Sequence, residues 1–205
     1  MIIILSKRTK IETIRKKYPM ARVVDVTSSA EDRRWTKLSP FYPHGGIPIP
    51  NSDGFSSMSV EGVWQGLKVF ENEGIDMNSF GNGTMKNIKR TQRKHGRTMG
   101  HQYGLLGRGE PLLDYVTARK KIYIPTYRWM LEHKAMDLVE ELREVSEKET
   151  VILLDYDTNG DVEMVGKPLS HASLIKAYIE GLYPYGDKKV EEKVEEDSQQ
   201  TMNFE

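Results

Sequence analysis

Residues 59–74 read SVEGVWQGLKVFENEG, and the rest of the chain is best understood outward from them. Val60, Val63, Trp64, Leu67 and Phe70 recur at helical spacing, Ser59 stands where an N-cap belongs, and Gly74 where a helix closes. The spacing predicts a helix over 59–74. Residues at i, i+4 and i+7 share one helical face, so Glu61, Gln65 and Lys68 line up while Trp64 and Leu67 lie toward the apolar side. Gly62 and Gly66 each disfavour a helix by roughly 1 kcal/mol relative to alanine, and are expected to leave room for a ligand near the backbone. Periodicity alone favours an ordinary amphipathic helix with Glu61 and Lys68 in solvent. The aromatic, proline-rich approach to the helix argues instead for a site.

That approach, residues 39–57, reads SPFYPHGGIPIPNSDGFSS, a structured loop or short extended elements. Toward the N-terminus, Ile2–Leu5 and Arg22–Val26 read as buried strands. Thr9–Lys17 reads as a helix capped by Thr9 and stopped at Tyr18-Pro19. This β-α-β opening carries no Gly-rich phosphate fingerprint. Toward the C-terminus, Gly81–Gly109 reads as short helices and loops, Leu112–Tyr123 and Tyr127–Glu147 as helices split near Pro125, Val151–Asp155 as a strand, and Ser170–Leu182 as a final helix capped by Ser170. The expected architecture is an α+β single domain over 1–185. It is mainly helical around Trp64, Trp129 and the last helix, with a small sheet from the strands near Ile3, Val24 and Leu153 and with 1–30 as a β-α-β extension. Residues 186–205 are expected to form a disordered acidic tail.

A chain of 205 residues is long enough to bury a core without disulfides. It has no cysteine, which excludes a disulfide scaffold, a thiol nucleophile and cysteine-ligated metal sites. The apolar run Ile2–Leu5 is too short for a signal-peptide core, and no stretch reaches the roughly 20 apolar residues that span a bilayer. A cytoplasmic protein with no membrane partner is expected. The net charge is zero, but Asp187–Glu205 holds seven acidic and three basic residues, so the preceding chain carries a positive excess. A mildly basic body suits a polyanionic substrate.

The order SPFYPHG, then SVEGVWQGLKVF, resembles the signature of the NADAR superfamily of YbiA-like proteins. Its members pair an aromatic-proline loop with a helix of the form S-x-E-H-x-x-Q-x-x-K. His95-Gly96-Arg97, Asp114-Tyr115 with Arg119 and Ile122, Val151–Asp155 and Pro168–Leu174 resemble later elements in the same order, so the likeness runs from about Leu38 to Gly181. Gly62 stands where the family usually has histidine and Pro40 where it has asparagine. The resemblance implies a YbiA-like core that hydrolyses an N-glycosidic bond in an N-ribosyl or ADP-ribosyl nucleotide, with Glu61 as acid/base carboxylate.

Cleaving such a bond builds positive charge on the sugar and negative charge on the leaving base, so a carboxylate and a proton donor are both useful. Lys68 is the candidate donor, or an amine nucleophile if burial lowers its pKa. Phe41, Tyr42 and Trp64 offer faces for a base, Gln65 a partner for ribose hydroxyls, and Asp114 and Trp129 complete the expected substrate contacts. Lys86–Arg97 holds six Lys/Arg in twelve residues. It reads either as a solvated surface or as a clamp for a diphosphate or nucleic-acid backbone, with Arg97 and His101 as its chosen residues. His44, His101 and His171 show no metal-ligand spacing, so neither a metal nor a cofactor is expected. Gln199–Phe204 has the form Q-x-x-M-x-F, resembling peptides that dock on sliding clamps. Two rival readings stand beside the enzyme. One is a sensor that binds NAD-derived nucleotides without turnover; the other is a nucleic-acid-associated adaptor of the kind a phage encodes.

Overall fold

The computed structural model describes residues 1–184, and the clamp-like peptide and acidic tail fall outside these described residues. The fold is α+β, as the sequence pattern implies. β1 (Ile2–Ser6), α1 (Ile11–Lys17) and β2 (Arg22–Asp25) form the opening. A 3₁₀ turn at Trp35–Leu38 leads into the loop that carries β3 (Ile47–Pro48) and β4 (Ser56–Ser57), an antiparallel pair. Next come α2 (Val60–Gly66), β5 (Lys68–Phe70), α3 (Met77–Phe80), α4 (Gln92–His95) and β6 (Thr98–His101). α5 (Tyr115–Ala118), a π-helical turn at Arg119–Tyr123, α6 (Ile124–Lys134) and α7 (Met136–Lys148) follow. β7 (Val151–Asp155) and α8 (His171–Ile179) complete the order.

The main sheet is parallel with order β1-β7-β2. Ile2 and Arg22 both pair with Val151, and the register runs on through Ser6 with Asp155 and Asp25 with Leu154. Side chains alternate across a strand, and here each face has its own cover. Ile152 packs with Ile14 and Ala21 beneath α1, while Val151 and Leu153 join Ile2, Val24 and the helical core on the other side. Covered faces account for the continuous apolar run VILLD, since a parallel strand buried on both sides has no reason to alternate. The β-α-β opening is therefore integrated: its two strands are both bonded to β7, and one core runs from Ile2 to Ile175.

The helix expected over Leu112–Tyr123 starts only at Tyr115, behind its Asp114 cap, and four further differences bear on the fold. α1 starts at Ile11 with Lys10 as cap, and Thr9 lies before it in a turn closed on Ser6. α8 ends at Ile179 rather than Leu182, although Ser170 caps it as expected and accepts from the Ser173 N–H. The long C-terminal helices break at Ala135, not at Pro125. Pro125 lies in the first turn of α6, where a missing N–H is best tolerated; the preceding π turn absorbs the irregularity. Ala135 instead leaves helical geometry, and its carbonyl accepts the N–H groups of Leu138 and Val139 at 3.1 Å each.

The fourth difference matters most for the site. α2 ends at Gly66, so Lys68 starts a strand rather than extending the helix. The carbonyls that a longer helix would use internally are taken by other partners. Asp76 N–H donates to the Gly66 carbonyl at 2.8 Å, and Gln102 N–H to Leu67 at 2.9 Å. The buried Arg90 guanidinium donates to the carbonyls of Gln65 (3.0 Å), Lys68 (2.6 Å) and Gly74 (2.8 Å). With its helix-end acceptors satisfied this way, the chain turns and pairs Lys68 with His101 on β6.

Candidate functional site

Every residue of α2 is buried, which makes it a central strut rather than a surface helix. Ser59 caps it, accepting from the Gly62 N–H at 2.9 Å, and the Glu61 N–H donates to the Pro40 carbonyl at 2.8 Å. The aromatic-proline loop is thereby fastened to the first turn of the helix. The two glycines serve close packing, not ligand approach. A Cβ on Gly62 would lie 2.7 Å from the Ser79 carbonyl oxygen, and one on Gly66 would strike the Phe80 ring.

A half-open pocket of about 300 Å³ lies against this helix. Phe41, Glu61, Trp64, Gln65 and Lys68 all border it, together with Lys89, Tyr115, Tyr123, Asp155 and His171. Trp64 belongs to an aromatic cluster, its ring 5.8 Å from Tyr115 and 5.6 Å from Tyr123, both edge-on. Lys89 stands over Phe41 at 5.3 Å.

Glu61 is 7% exposed. Burial raises its pKa, and the Gln65 hydrogen bond and the charges of Lys89, Lys68 and His171 pull it only partly back. Burial lowers the pKa of Lys68, with Glu61 acting in the opposite sense. The two groups thus feel each other across the pocket, and among the described residues no direct ion pair joins them. Gln65 is committed to Glu61: its Nε2 donates to Glu61 Oε1 at 2.8 Å, and its Oε1 accepts from the Arg90 N–H at 3.0 Å. It orients the carboxylate, in place of the expected ribose contact.

Across the pocket, β7 and α8 contribute a buried ion pair. His171 Nδ1 lies 3.0 Å from Asp155 Oδ2, and His171 Nε2 donates to the Val26 carbonyl at 2.9 Å. Both ring nitrogens face acceptors, an arrangement that favours imidazolium. Burial opposes that charge, yet Asp155 and the Val26 carbonyl outweigh it and raise the His171 pKa. Asp155 also accepts from Ser170 Oγ (2.8 Å) and from the N–H groups of Tyr156 (2.7 Å) and Ala172 (3.2 Å). Burial alone would raise its pKa, but the His171 charge and hydrogen bond, with those of Ser170 and Ala172, hold it low. Arg119, 1% exposed, is satisfied without a carboxylate, donating to the carbonyls of Val162 (2.8 Å), Met164 (2.9 Å) and Lys167 (2.5 Å) and lying over the Tyr115 ring.

The remaining expected contacts lie elsewhere. Tyr42 packs against His44, whose Nε2 donates to the Lys37 carbonyl at 2.8 Å. Trp129 stacks on His133, 4.4 Å away on the same helix, and does not line the pocket beside α2. Asp114 caps α5, accepting from the N–H groups of Val116 and Thr117 and from Thr117 Oγ1, which lowers its pKa. Arg97 is exposed and borders neither pocket. His101 is not a phosphate-binding cation. Its ring lies 3.9 Å from Trp64, burial pushes its pKa down to about 3 with Lys68 adding to the effect, and neither ring nitrogen has a hydrogen-bond partner among the described residues. A buried polar atom left so costs roughly 1–3 kcal/mol.

Sequence reasoning missed Lys89, Arg90, Asp155 and His171 as parts of the site. Asp155 and His171 were placed correctly on a strand end and a helix start, but only the tertiary fold brings them together. Among the described residues no group of three or more His, Asp or Glu side chains is arranged to hold a metal ion, and no helix is long and apolar enough to cross a membrane. Compared with known proteins, the chain matches, over residues 6–175, a family described as a family of unknown function, DUF6939. No curated protein matches it.

Proposed function

The chain belongs to the DUF6939 family, and from its site we propose that it hydrolyses an N-glycosidic bond in an N-ribosyl or ADP-ribosyl nucleotide. The observation that carries this reading is Glu61: a buried carboxylate with a raised pKa, held by Gln65 and facing a concave, aromatic-lined pocket that also contains Lys68. Perturbed carboxylates in clefts are characteristic of reacting groups. The resemblance of the motif order to that of the NADAR superfamily is a second support.

In the proposed step the bond between the anomeric carbon and the base nitrogen breaks as water adds to that carbon. Glu61 as carboxylate takes the water's proton and stabilises positive charge on the sugar, while Lys68 gives a proton to the departing base. Its lowered pKa makes Lys68 a better acid than a solvated lysine. Phe41 and Trp64 provide faces for the substrate, and Lys89 supplies positive charge at the rim. Lys86, Lys89, Arg93, Lys94 and Arg97 are all exposed, and Lys89 joins this basic surface to the pocket. That placement favours a substrate carried on a nucleic-acid backbone, with a salt-dependent affinity.

The test presents ADP-ribose conjugates, ADP-ribosylated oligonucleotides and ribosylaminopyrimidines to the protein and measures free base by mass spectrometry. Glu61→Gln and Lys68→Ala are each expected to lower turnover by about 10²–10⁴-fold. Glu61→Gln keeps the Gln65 hydrogen bond and removes a buried ionisable group, so it should melt no lower than the parent. Full activity in both variants would end the proposal.

A further inference from the structure

A second hollow of about 370 Å³ lies behind the first, bordered by Lys68, Gln92, Thr98, Met99, His101 and Tyr115 among others. Lys68 and Tyr115 border both spaces. Between them stand two packed rings, Trp64 facing the first pocket and His101 the second. His101 is 1% exposed, and both of its ring nitrogens lack partners. Burial keeps the ring neutral, so it holds one donor and one acceptor to offer. The charged groups on the hollow's wall are one cation, Lys68, and one carboxylate, Asp114. Such a wall does not select an anion. It suits an uncharged ring that carries both a carbonyl and an N–H, and Gln92, Thr98 and Tyr115 add further donors and acceptors.

We propose that this second hollow is a binding subsite for an uncharged heterocyclic base bearing an amide or lactam group, held by His101 and Gln92 on the far side of the Trp64–His101 partition from Glu61. The inference rests on the glycosidase reading in one respect: the base that departs from the first pocket is the natural occupant of the second. Lys68, on the boundary, then hands its proton to a leaving group that moves away from Glu61. Met99, the unpaired residue at the bulge of β6, borders the same hollow two residues before His101 and is half exposed. Because the His101 nitrogens are closed off from solvent, binding in this subsite has to uncover them, and the flexible Met99 side chain at the hollow's edge is the group placed to move.

Nicotinamide, cytosine and adenine serve as probes, titrated calorimetrically into the full chain and followed by NMR of methyl-labelled methionine. At least one base should bind and shift the Met99 methyl resonance. Gln92→Leu, a surface change that spares the core, and His101→Phe should each weaken that binding roughly tenfold, about 1.4 kcal/mol, while Glu61→Gln should leave it unchanged. Absence of base binding, binding indifferent to both Gln92→Leu and His101→Phe, or inorganic phosphate shifting Met99 in place of the bases would each overturn the subsite. Base binding without glycosidase turnover would sink the hydrolase reading alone, and turnover without base binding would sink the subsite alone.

Discussion

Two buried carboxylates border the same pocket, and their surroundings push them in opposite directions. Asp155 accepts from two backbone N–H groups, a serine hydroxyl and an imidazolium, and its pKa falls. Glu61 has one amide hydrogen bond and more distant cations, and its pKa rises. The adjacent His171 charge, and then the number of donors, sets the two carboxylates apart. The His171–Asp155 pair therefore has a definite pH signature. A histidine whose folded pKa is raised contributes stability that is complete below its ordinary value of 6.5 and lost as pH climbs through the raised value. Asp155, with a depressed pKa, contributes stability present above 3.8 and lost as pH falls through the lowered value. Both contributions coexist between these ordinary values. His171→Gln should cost about 3–5 kcal/mol there, with a smaller deficit in alkaline buffer. Urea titrations of both proteins across pH measure it; a deficit independent of pH would mean the ring is neutral in the fold.

At the scale of elements, α2 illustrates what periodicity reads and what it misses. Ser59 and Val60 mark the start of this helix correctly, and Val63 and Trp64 are buried as their spacing implies, but so is every other residue of it. Its end was illegible, because Arg90, Asp76 and Gln102, remote in sequence, take the carbonyls that a longer helix would have used. Phe70 keeps helical spacing by coincidence, while its backbone lies in β5. Glu61 and Lys68 nevertheless border one pocket, although the first lies in the opening turn of α2 and the second begins β5. The glycines are the second misreading: nothing in the local sequence reveals that Phe80 and the Ser79 carbonyl stand against them. Gly66→Ala should thus destabilise by about 1–3 kcal/mol, although alanine is the better helix former by roughly 1 kcal/mol. The denaturation midpoint of the single variant, beside that of Gly66→Ala combined with Phe80→Leu, checks the cause. The second change should recover part of the loss.

Across the whole molecule, the strand segments near Ile3, Val24 and Leu153 were legible as one small sheet, but their order was not. β7 lies between β1 and β2, and Val26, just past β2, holds the His171 ring. Removing residues 1–30 should consequently unfold the protein rather than trim it, leaving neither a cooperative melt nor dispersed amide resonances. A truncated chain that melts near the parent temperature would contradict this. The interposed strand also bears on synthesis. A nascent chain that has released only β1, α1 and β2 holds two edges with no neighbour to zip them together, because Val151–Asp155 has yet to be made. Sheet closure and completion of the pocket wall must then wait for late translation. Until that moment the two strands of the opening keep bare edges, the kind of surface on which strands mispair.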